Sequence, residues 1–410
     1  MGAGCPCQVD TARSSTSSGS VHGRSDTMIR TVVHKMPACG TSLWVGRIAR
    51  MCKRTRVCAL AVVGLMFSPL VPAAQYTILE RIPGPPWVAA WDYAEIGPST
   101  GDLYLAAVGP ESGVIRLDLH SHRVDKWVSV KMSHGVAFVD HGLAAVADAA
   151  TNSVVFAEEA SGKVVASVDT GKPPQADGWH NPDSLLIEPK TGLLVAVNKD
   201  SGALALLDVT KRILVGTVQI GGTLEAAAAS GNGTVYVNIE DKGAIAVVDV
   251  PARRVIREIA LSECEDPSGI AYDSSDDLVI SVCANGLVKF VAPGTGLEVA
   301  SLRVARGADD VIYDSLRKVV FIPGGDDGKL SVVRVGGRKD IRVIQTLKTQ
   351  LGTRLGAIDP TTGKVYLPTA KADLAAAPLR LPGLPPIPPA ATGSFEFLVV
   401  GPSHGTDLKH

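Results

Sequence analysis

Runs of strand-forming residues recur along this chain at nearly regular intervals, and this repeat is its strongest structural constraint. Successive runs are separated by 40, 50, 42, 43, 41 and 46 residues, and they begin at Leu103, Leu143, Leu193, Val235, Leu278, Val319 and Val365. Segment Thr234–Leu261 shows the content of one unit, three short β-type runs joined by tight turns. Such a meander cannot bury both of its faces alone, so it needs neighbours like itself. A period in the low forties therefore predicts an all-β fold, a seven-bladed β-propeller.

One segment carries a conflicting local signal. Leu224–Ser230 (LEAAAAS) is rich in alanine, which favours a helix. The repeat places the same residues in a strand, and tertiary context commonly overrides so weak a preference. We therefore expect a strand in this segment.

The two ends of the repeat region predict how the ring closes. Tyr76–Ile82 is a β-type run without a blade of its own. Ser394–Val400 follows Ala375–Pro389, whose six prolines cannot pair in a sheet. We expect the N-terminal run to pair beside Ser394–Val400 in the last blade, because closure removes open sheet edges. This predicts one propeller domain over residues 75–401, followed by a tail, 402–410.

The residues ahead of the repeat predict export. Residues 1–50 are rich in Ser, Gly, Thr and Arg, and their apolar residues follow neither a helix nor a strand period. We therefore interpret them as a disordered extension or as sequence preceding the true start near Met51. Residues 51–74 have the layout of a secretory signal peptide: a basic segment, the apolar run Val57–Leu70, and small residues before the cleavage site. A membrane anchor is the alternative, but the run is short and is broken by glycine and proline. We expect a periplasmic or secreted mature chain without a membrane span.

Export changes the meaning of the cysteines. Five of the seven precede the expected cleavage site, which leaves Cys264 and Cys283. Two cysteines in an exported chain most simply form a disulfide, and two separate buried thiols are the alternative. Neither residue belongs to a CxxC pair, which argues against a metal site built on them.

Composition narrows the classes of partner. The formal net charge is -1 and the pI is about 6.8, so the chain lacks the basic excess that nucleic-acid binding requires. Hydrophobic residues make up 46% of the chain, which is enough for a large core. We expect a monomer whose partner is a protein, peptide or glycan.

Several segments resemble a known family. VYVNIEDKGAIAVVDVPARRVI, LYLAAVGPESGVIRLDLHSHRV and KVYLPTA are similar to the YVTN-type seven-bladed propeller repeat proteins of bacteria, and most of all to their exported, YncE-like members. The resemblance covers about residues 76–401. It implies the propeller fold, but it implies little about activity, because this fold carries many unrelated functions.

Propellers bind ligands mainly at the mouth of the central channel, which the loops before the innermost strands line. The repeat assigns one such position to each blade, and these are Trp91, His134, Asp183, Glu225, Ser268, Asp309 and Arg354. An insertion, Gln175–Pro182, adds Trp179 and His180 close to them. Converging carboxylates and imidazoles suit a cation, a metal ion or an acid/base pair, although a merely solvated polar ring would have the same composition.

Two functions of different classes remain open. The first is a binding or scaffold protein that uses the polar mouth, with Trp179 stacking on a sugar, peptide or base. The second is a metal-assisted lyase or hydrolase in which His134, Asp183 and Glu225 hold a divalent metal ion. The sequence contains no established catalytic motif, so whether the protein is an enzyme stays open.

Overall fold

A computed structural model describes residues 75–403 apart from 109–111, 140–141, 172–180 and 380–387. The expected extension and signal peptide, and most of the tail, lie outside this part of the chain. Within the described residues, no helix has the length and apolarity needed to cross a membrane.

The described residues form four-stranded antiparallel sheets, seven in all, arranged as the blades of a β-propeller. The strands of the first half are β1 (Tyr76–Pro83), β2 (Ala90–Ile96), β3 (Leu103–Val108), β4 (Gly113–Leu117), β5 (Val124–Val128), β6 (Ser133–Val139), β7 (Leu143–Asp148), β8 (Ser153–Glu158), β9 (Val164–Asp169), β10 (Leu185–Glu188), β11 (Leu193–Asn198), β12 (Ala203–Asp208) and β13 (Ile213–Gln219). Those of the second half are β14 (Leu224–Ala229), β15 (Thr234–Ile239), β16 (Ala244–Asp249), β17 (Arg254–Ala260), β18 (Pro267–Asp273), β19 (Leu278–Cys283), β20 (Leu287–Ala292), β21 (Leu297–Arg303), β22 (Ile312–Asp314), β23 (Val319–Gly324), β24 (Lys329–Val335), β25 (Ile341–Lys348), β26 (Ala357–Ile358), β27 (Val365–Thr369) and β28 (Glu396–Pro402). A single 3₁₀ turn, Glu240–Lys242, is the helical element of these residues.

Blades one to six are each a meander of four consecutive strands, from the channel outwards, and blade seven takes its outermost strand from the N-terminal end of the propeller. Blades one to six are β2–β5, β6–β9, β10–β13, β14–β17, β18–β21 and β22–β25, and blade seven contains β26, β27, β28 and β1. The predicted repeat starts fall at the second strand of every blade, within one residue of its first position. These second strands are almost wholly buried, so they appear in the sequence as continuous apolar runs.

The core lies between neighbouring blades. Val195 and Val197 of β11 pack in one cluster with Val235 and Val237 of β15, and equivalent clusters join the other blades. Leu224–Ala229 is a strand, as the repeat predicted, because its first residues are buried in these contacts. The apolar faces that a lone blade would expose are thus covered by its neighbours.

The ring is closed by the N-terminal strand, as predicted. β1 pairs antiparallel with β28, and Ile82 lies opposite Phe397. The order in blade seven is β1-β28-β27-β26, so the outermost strand of the last blade comes from the beginning of the propeller. This pairing joins the N-terminal strand, which leads directly into blade one, to the last blade by backbone hydrogen bonds.

Cys264 and Cys283 form the predicted disulfide, with their Cα atoms 5.3 Å apart. Cys283 ends β19, and Cys264 lies in the loop before β18 of the same blade. Because the bond closes a loop of 19 residues, the variant Cys264→Ala/Cys283→Ala should lose about 3 kcal/mol of unfolding free energy, measured by denaturant titration. Reducing the wild type should bring it down to the variant, whereas equal stability of all three forms would contradict a structural role.

Candidate ligand site at the channel mouth

The chain direction brings two sets of residues together at one end of the channel. Each inner strand starts at this end, and each second strand runs antiparallel and finishes there. Residues just before or within the start of the inner strands therefore meet residues just after the second strands. Together they line a cavity of about 430 Å³, which we call the mouth.

The structure places all seven ring positions predicted for the blades in the lining of this mouth. These are Trp91, His134, Asp183, Glu225, Ser268, Asp309 and Arg354. The lining also includes charged residues outside the predicted ring, namely Asp92, Lys199, Glu240, Asp266 and Asp326. Trp179 and His180 lie outside the described residues.

Blade one differs from the predicted phase by one residue. In blades two, four and five the register between the inner and the second strand is interrupted directly after Ser133, Leu224 and Pro267. In each of these blades the predicted ring residue is the first residue of the interruption. In blade one the break follows Trp91, whose Cα pairs with Ala107. The first residue in that break is Asp92, and this one-residue shift brings its carboxylate to the neighbouring blade.

Asp92, His134 and Asp183 form a compact group, here called the triad. The Nδ1 atom of His134 lies 2.5 Å from Oδ2 of Asp92 and 3.2 Å from Oδ1 of Asp183. His134 and Asp183 are only 5% and 4% exposed. One ligand atom from each residue lies within 4.8 Å of the others, so the triad has the donor types and the spacing to hold a metal ion.

The triad is an ion-pair network between three blades. Burial lowers the pKa of His134, but the hydrogen bond and charge of Asp92 and the charge of Asp183 outweigh it, so the pKa is raised. Burial raises the pKa of Asp92, but the hydrogen bond and charge of His134 outweigh it and lower the pKa. The charged forms of the imidazole and the carboxylates therefore stabilise one another.

Glu225 belongs to a second group. Its carboxylate contacts the ammonium of Lys199, and Nζ of Lys199 also lies 3.0 Å from Glu240. Burial lowers the pKa of Lys199, but the charges of Glu225, Asp183 and Glu240 outweigh it and raise the pKa. Three metal ligands were expected from the sequence. Two of them, His134 and Asp183, lie together with Asp92, whereas the third, Glu225, forms an ion pair with Lys199.

Lys199 and Glu240 are not among the predicted ring positions, because those positions lie only at the start of the inner strands. Both residues directly follow the second strand of their blades, β11 and β15. The other blades carry small residues at this position, Gly109, Ala149, Ala284, Gly325 and Ala370. Long charged side chains in two blades, at a repeat position where the other five blades have glycine or alanine, are a signal that the sequence itself contains.

The remaining ring residues mainly connect blades. Nε of Arg354 lies 2.9 Å from Oδ2 of Asp309, and an Nη atom of Arg354 donates to the carbonyl of Trp91 at 3.1 Å. The Ser268 hydroxyl donates to the carbonyl of Ala308 at 2.9 Å. Arg354 thus ties blade seven to blades six and one, and Ser268 ties blade five to blade six.

Negative charge dominates the mouth. Among the described residues that line it, seven carboxylates face two permanent cations, Lys199 and Arg354, in addition to His134. Both cations are already in ion pairs, with Glu225 and Glu240 and with Asp309. Burial raises the pKa of Glu225 well above its ordinary value, and the charges of Asp183 and Asp309 add to this despite Lys199. The mouth therefore has more carboxylates than its own cations neutralise.

Tyr93 reaches from blade one to the blades on the far side of the channel. It follows Asp92 on the inner strand of blade one, yet it packs against a cluster from blades four and five that includes Tyr236 and Ile270. Burial raises its pKa well above the ordinary value, and the charges of Asp183 and Glu225 raise it further. A neutral phenol that reaches across the channel thus lies next to the acidic mouth.

Comparisons with known proteins show the fold alone. No family model matches the chain, and no curated protein matches it. Among solved structures, the chain is similar to a Kuenenia stuttgartiensis hydrazine synthase (TM-score 0.58, 15% identity, covering 68% of this chain and 92% of that one). It is also similar to a chain in the crystal structure of a mitotic checkpoint complex (TM-score 0.60, 14% identity, covering 77% and 96%). At such identities the likeness extends to the propeller and not to what those proteins do.

Proposed function

We propose that this chain is an exported binding protein of the YVTN-type propeller group and that its mouth takes a cationic ligand. The observation that carries the proposal is the excess of carboxylates over cations in the mouth. A concave site with one sign of charge concentrates ligands of the opposite sign, because its low-dielectric walls focus the field. A protein or peptide partner would present a positively charged group to this site.

Two observations support export. Residues 51–74 have the layout of a signal peptide, and the Cys264–Cys283 disulfide suits an oxidising compartment. The mature protein would act in the periplasm or outside the cell.

A metal-assisted lyase or hydrolase is the second candidate, and the triad is the observation that favours it. One imidazole and two carboxylates are donors that Mn²⁺ and Zn²⁺ accept. A divalent ion held there would polarise a substrate oxygen. His134 would have to give up its proton to become a ligand. Metal binding without turnover of ester or lyase substrates would favour the binding role.

Titration with Mn²⁺, used as an inorganic probe, tests the proposal. Wild-type protein should bind Mn²⁺ in a calorimetric titration, and Asp92→Asn/Asp183→Asn should weaken binding by about tenfold or more, because it removes two carboxylate ligands. The matched control is Asp208→Asn/Asp249→Asn, which removes the same charge at the opposite end of blades three and four. The control should bind as the wild type does. Equal Mn²⁺ affinity in all three proteins would contradict a cation site at the mouth.

A further inference from the structure

We propose that the ligand of the mouth is an organic cation with an apolar body, and that this body lies in a cleft beside the mouth. The inference rests on the proposed function, since it assigns the cationic group to the acidic mouth. It adds the chemical class of the ligand.

The cleft has a volume of about 760 Å³ and adjoins the mouth. The two cavities share a wall made of Ala90, Trp91, Gly307, Asp326 and Arg354. A ligand that extends past this wall can therefore contact both cavities. Their sizes are within the range of pockets for small organic molecules.

The cleft is mainly apolar, and it leaves large hydrophobic side chains uncovered. Leu351 and Leu374 line it and are 67% and 83% exposed. Pro388, Pro389 and several alanines also line it. Two leucines this exposed, on separate loops that face one cavity, are typical of a binding surface. Only a bound partner can bury these side chains, and their burial then contributes favourable free energy to binding.

The cleft is held in place by the backbone of blade seven and blade one. The amide of Asp373 donates to the carbonyl of Pro389 at 2.8 Å, and the amide of Ala390 donates to the carbonyl of Ala89 at 2.9 Å. In the lining of the cleft, a Cβ added to Gly325 would lie 3.2 Å from Cβ of Arg354. The cleft wall is thus fixed to blade one, and a glycine allows the backbone of blade six to approach Arg354 closely.

Charge decides which end of the ligand lies where. The charged residues of the cleft are Asp326, Lys371 and Arg354, and Arg354 is paired with Asp309. The cleft therefore lacks the acidic excess of the mouth. Trp91, in the shared wall, offers an aromatic ring to either an apolar group or a cation. A cationic head in the mouth and an apolar body in the cleft match this division.

The test compares three probes of related shape: 2-phenylethylammonium, ethylammonium and 3-phenylpropionate. Calorimetric titration of wild-type protein should give an affinity for 2-phenylethylammonium about tenfold or more above that for ethylammonium, because the ring is buried in the cleft. The phenylpropionate anion should bind far more weakly than 2-phenylethylammonium. Mn²⁺ should compete with the amine, since both use the carboxylates of the mouth.

Variants locate the two halves of the ligand. Leu351→Ser/Leu374→Ser should remove most of the advantage of 2-phenylethylammonium over ethylammonium. The matched control is Leu297→Ser/Leu316→Ser, because these leucines are 67% and 76% exposed and lie at the opposite end of the blades. The control should leave the advantage intact, and all four leucines are exposed enough that folding is not at issue.

The outcomes separate this inference from the proposed function. If both amines bind equally and both are lost in Asp92→Asn/Asp183→Asn, the cleft inference is overturned and the cation site stands. If phenylpropionate binds as well as the amine, the assignment of a cationic head is overturned. If neither the amines nor Mn²⁺ respond to the mouth variant, both proposals fall.

Discussion

Replacing Lys199 with methionine is expected to lower the free energy of unfolding by about 3–5 kcal/mol at pH 8. Lys199 is the ammonium between Glu225 and Glu240, and its side chain is only 14% exposed. Removing it leaves two carboxylates beside Asp183 with no counter-charge. An uncompensated buried charge costs far more than a surface ion pair contributes.

The loss should depend on pH, because the charge of Lys199 lowers the pKa of Glu225, and its removal lets burial and the neighbouring carboxylates raise that pKa further. A raised carboxyl pKa means that the folded state binds the proton more tightly than the unfolded state does. The stabilisation that this tighter proton binding gives is complete at pH values below the ordinary carboxyl pKa of 4.5, and it is lost as the pH rises through the pKa of the folded state. The difference between Lys199→Met and wild type should therefore be small near pH 4.5 and grow towards pH 8.

Two further variants control this measurement. Lys242→Met breaks an exposed ion pair with Glu258, 3.0 Å long, and should cost less than about 1 kcal/mol. Lys199→Met/Glu225→Gln removes both charges of the pair and should recover part of the loss. A pH-independent loss, or one no larger than that of Lys242→Met, would show that the Lys199 cluster does not hold the blades as described.

Ile82→Ala should lower the free energy of unfolding by about 2–5 kcal/mol, because a large buried side chain is removed from the strand that closes the ring. Ile82 is 2% exposed and packs in a cluster with Leu355, Phe395 and Phe397. The cluster contains residues of blades seven and one, so a cavity there weakens the junction on which closure depends.

Leu79→Ala is the matched control, since Leu79 lies in the same strand and is 44% exposed. Urea titration should show a loss of well under half that of Ile82→Ala, because exposed leucine loses little apolar contact. Equal losses would contradict a special contribution of the buried Ile82 side chain to closure.

The strands could be predicted because their signal is local and repeated. Second strands are covered on both sides by neighbouring blades, so each is an apolar run, and seven such runs reveal the period. Leu224–Ala229 shows the value of the period, since local propensity alone would have made it a helix. The closing strand was predictable for a related reason, because both unpaired runs needed a partner.

The sequence predicts which residues lie in the ring at the mouth, but not which of their side chains contact one another. His134 and Asp183 were assigned to the mouth by phase, yet the Asp92 contact depends on a break in the β2–β3 pairing that comes one residue later than in other blades. The ion pairs join residues of different blades, such as Asp92 with His134 and Lys199 with Glu225. Side-chain contacts between blades follow from the twist of the sheets and the closure of the ring, which one sequence does not specify.

Anomalous scattering of Mn²⁺ in crystals of the wild-type protein tests the cation site most directly. We expect an anomalous peak in the mouth, within coordination distance of the carboxylates of Asp92 and Asp183. Peaks only at exposed carboxylates outside the mouth, with none at the triad, would contradict the claim that the mouth is a cation site.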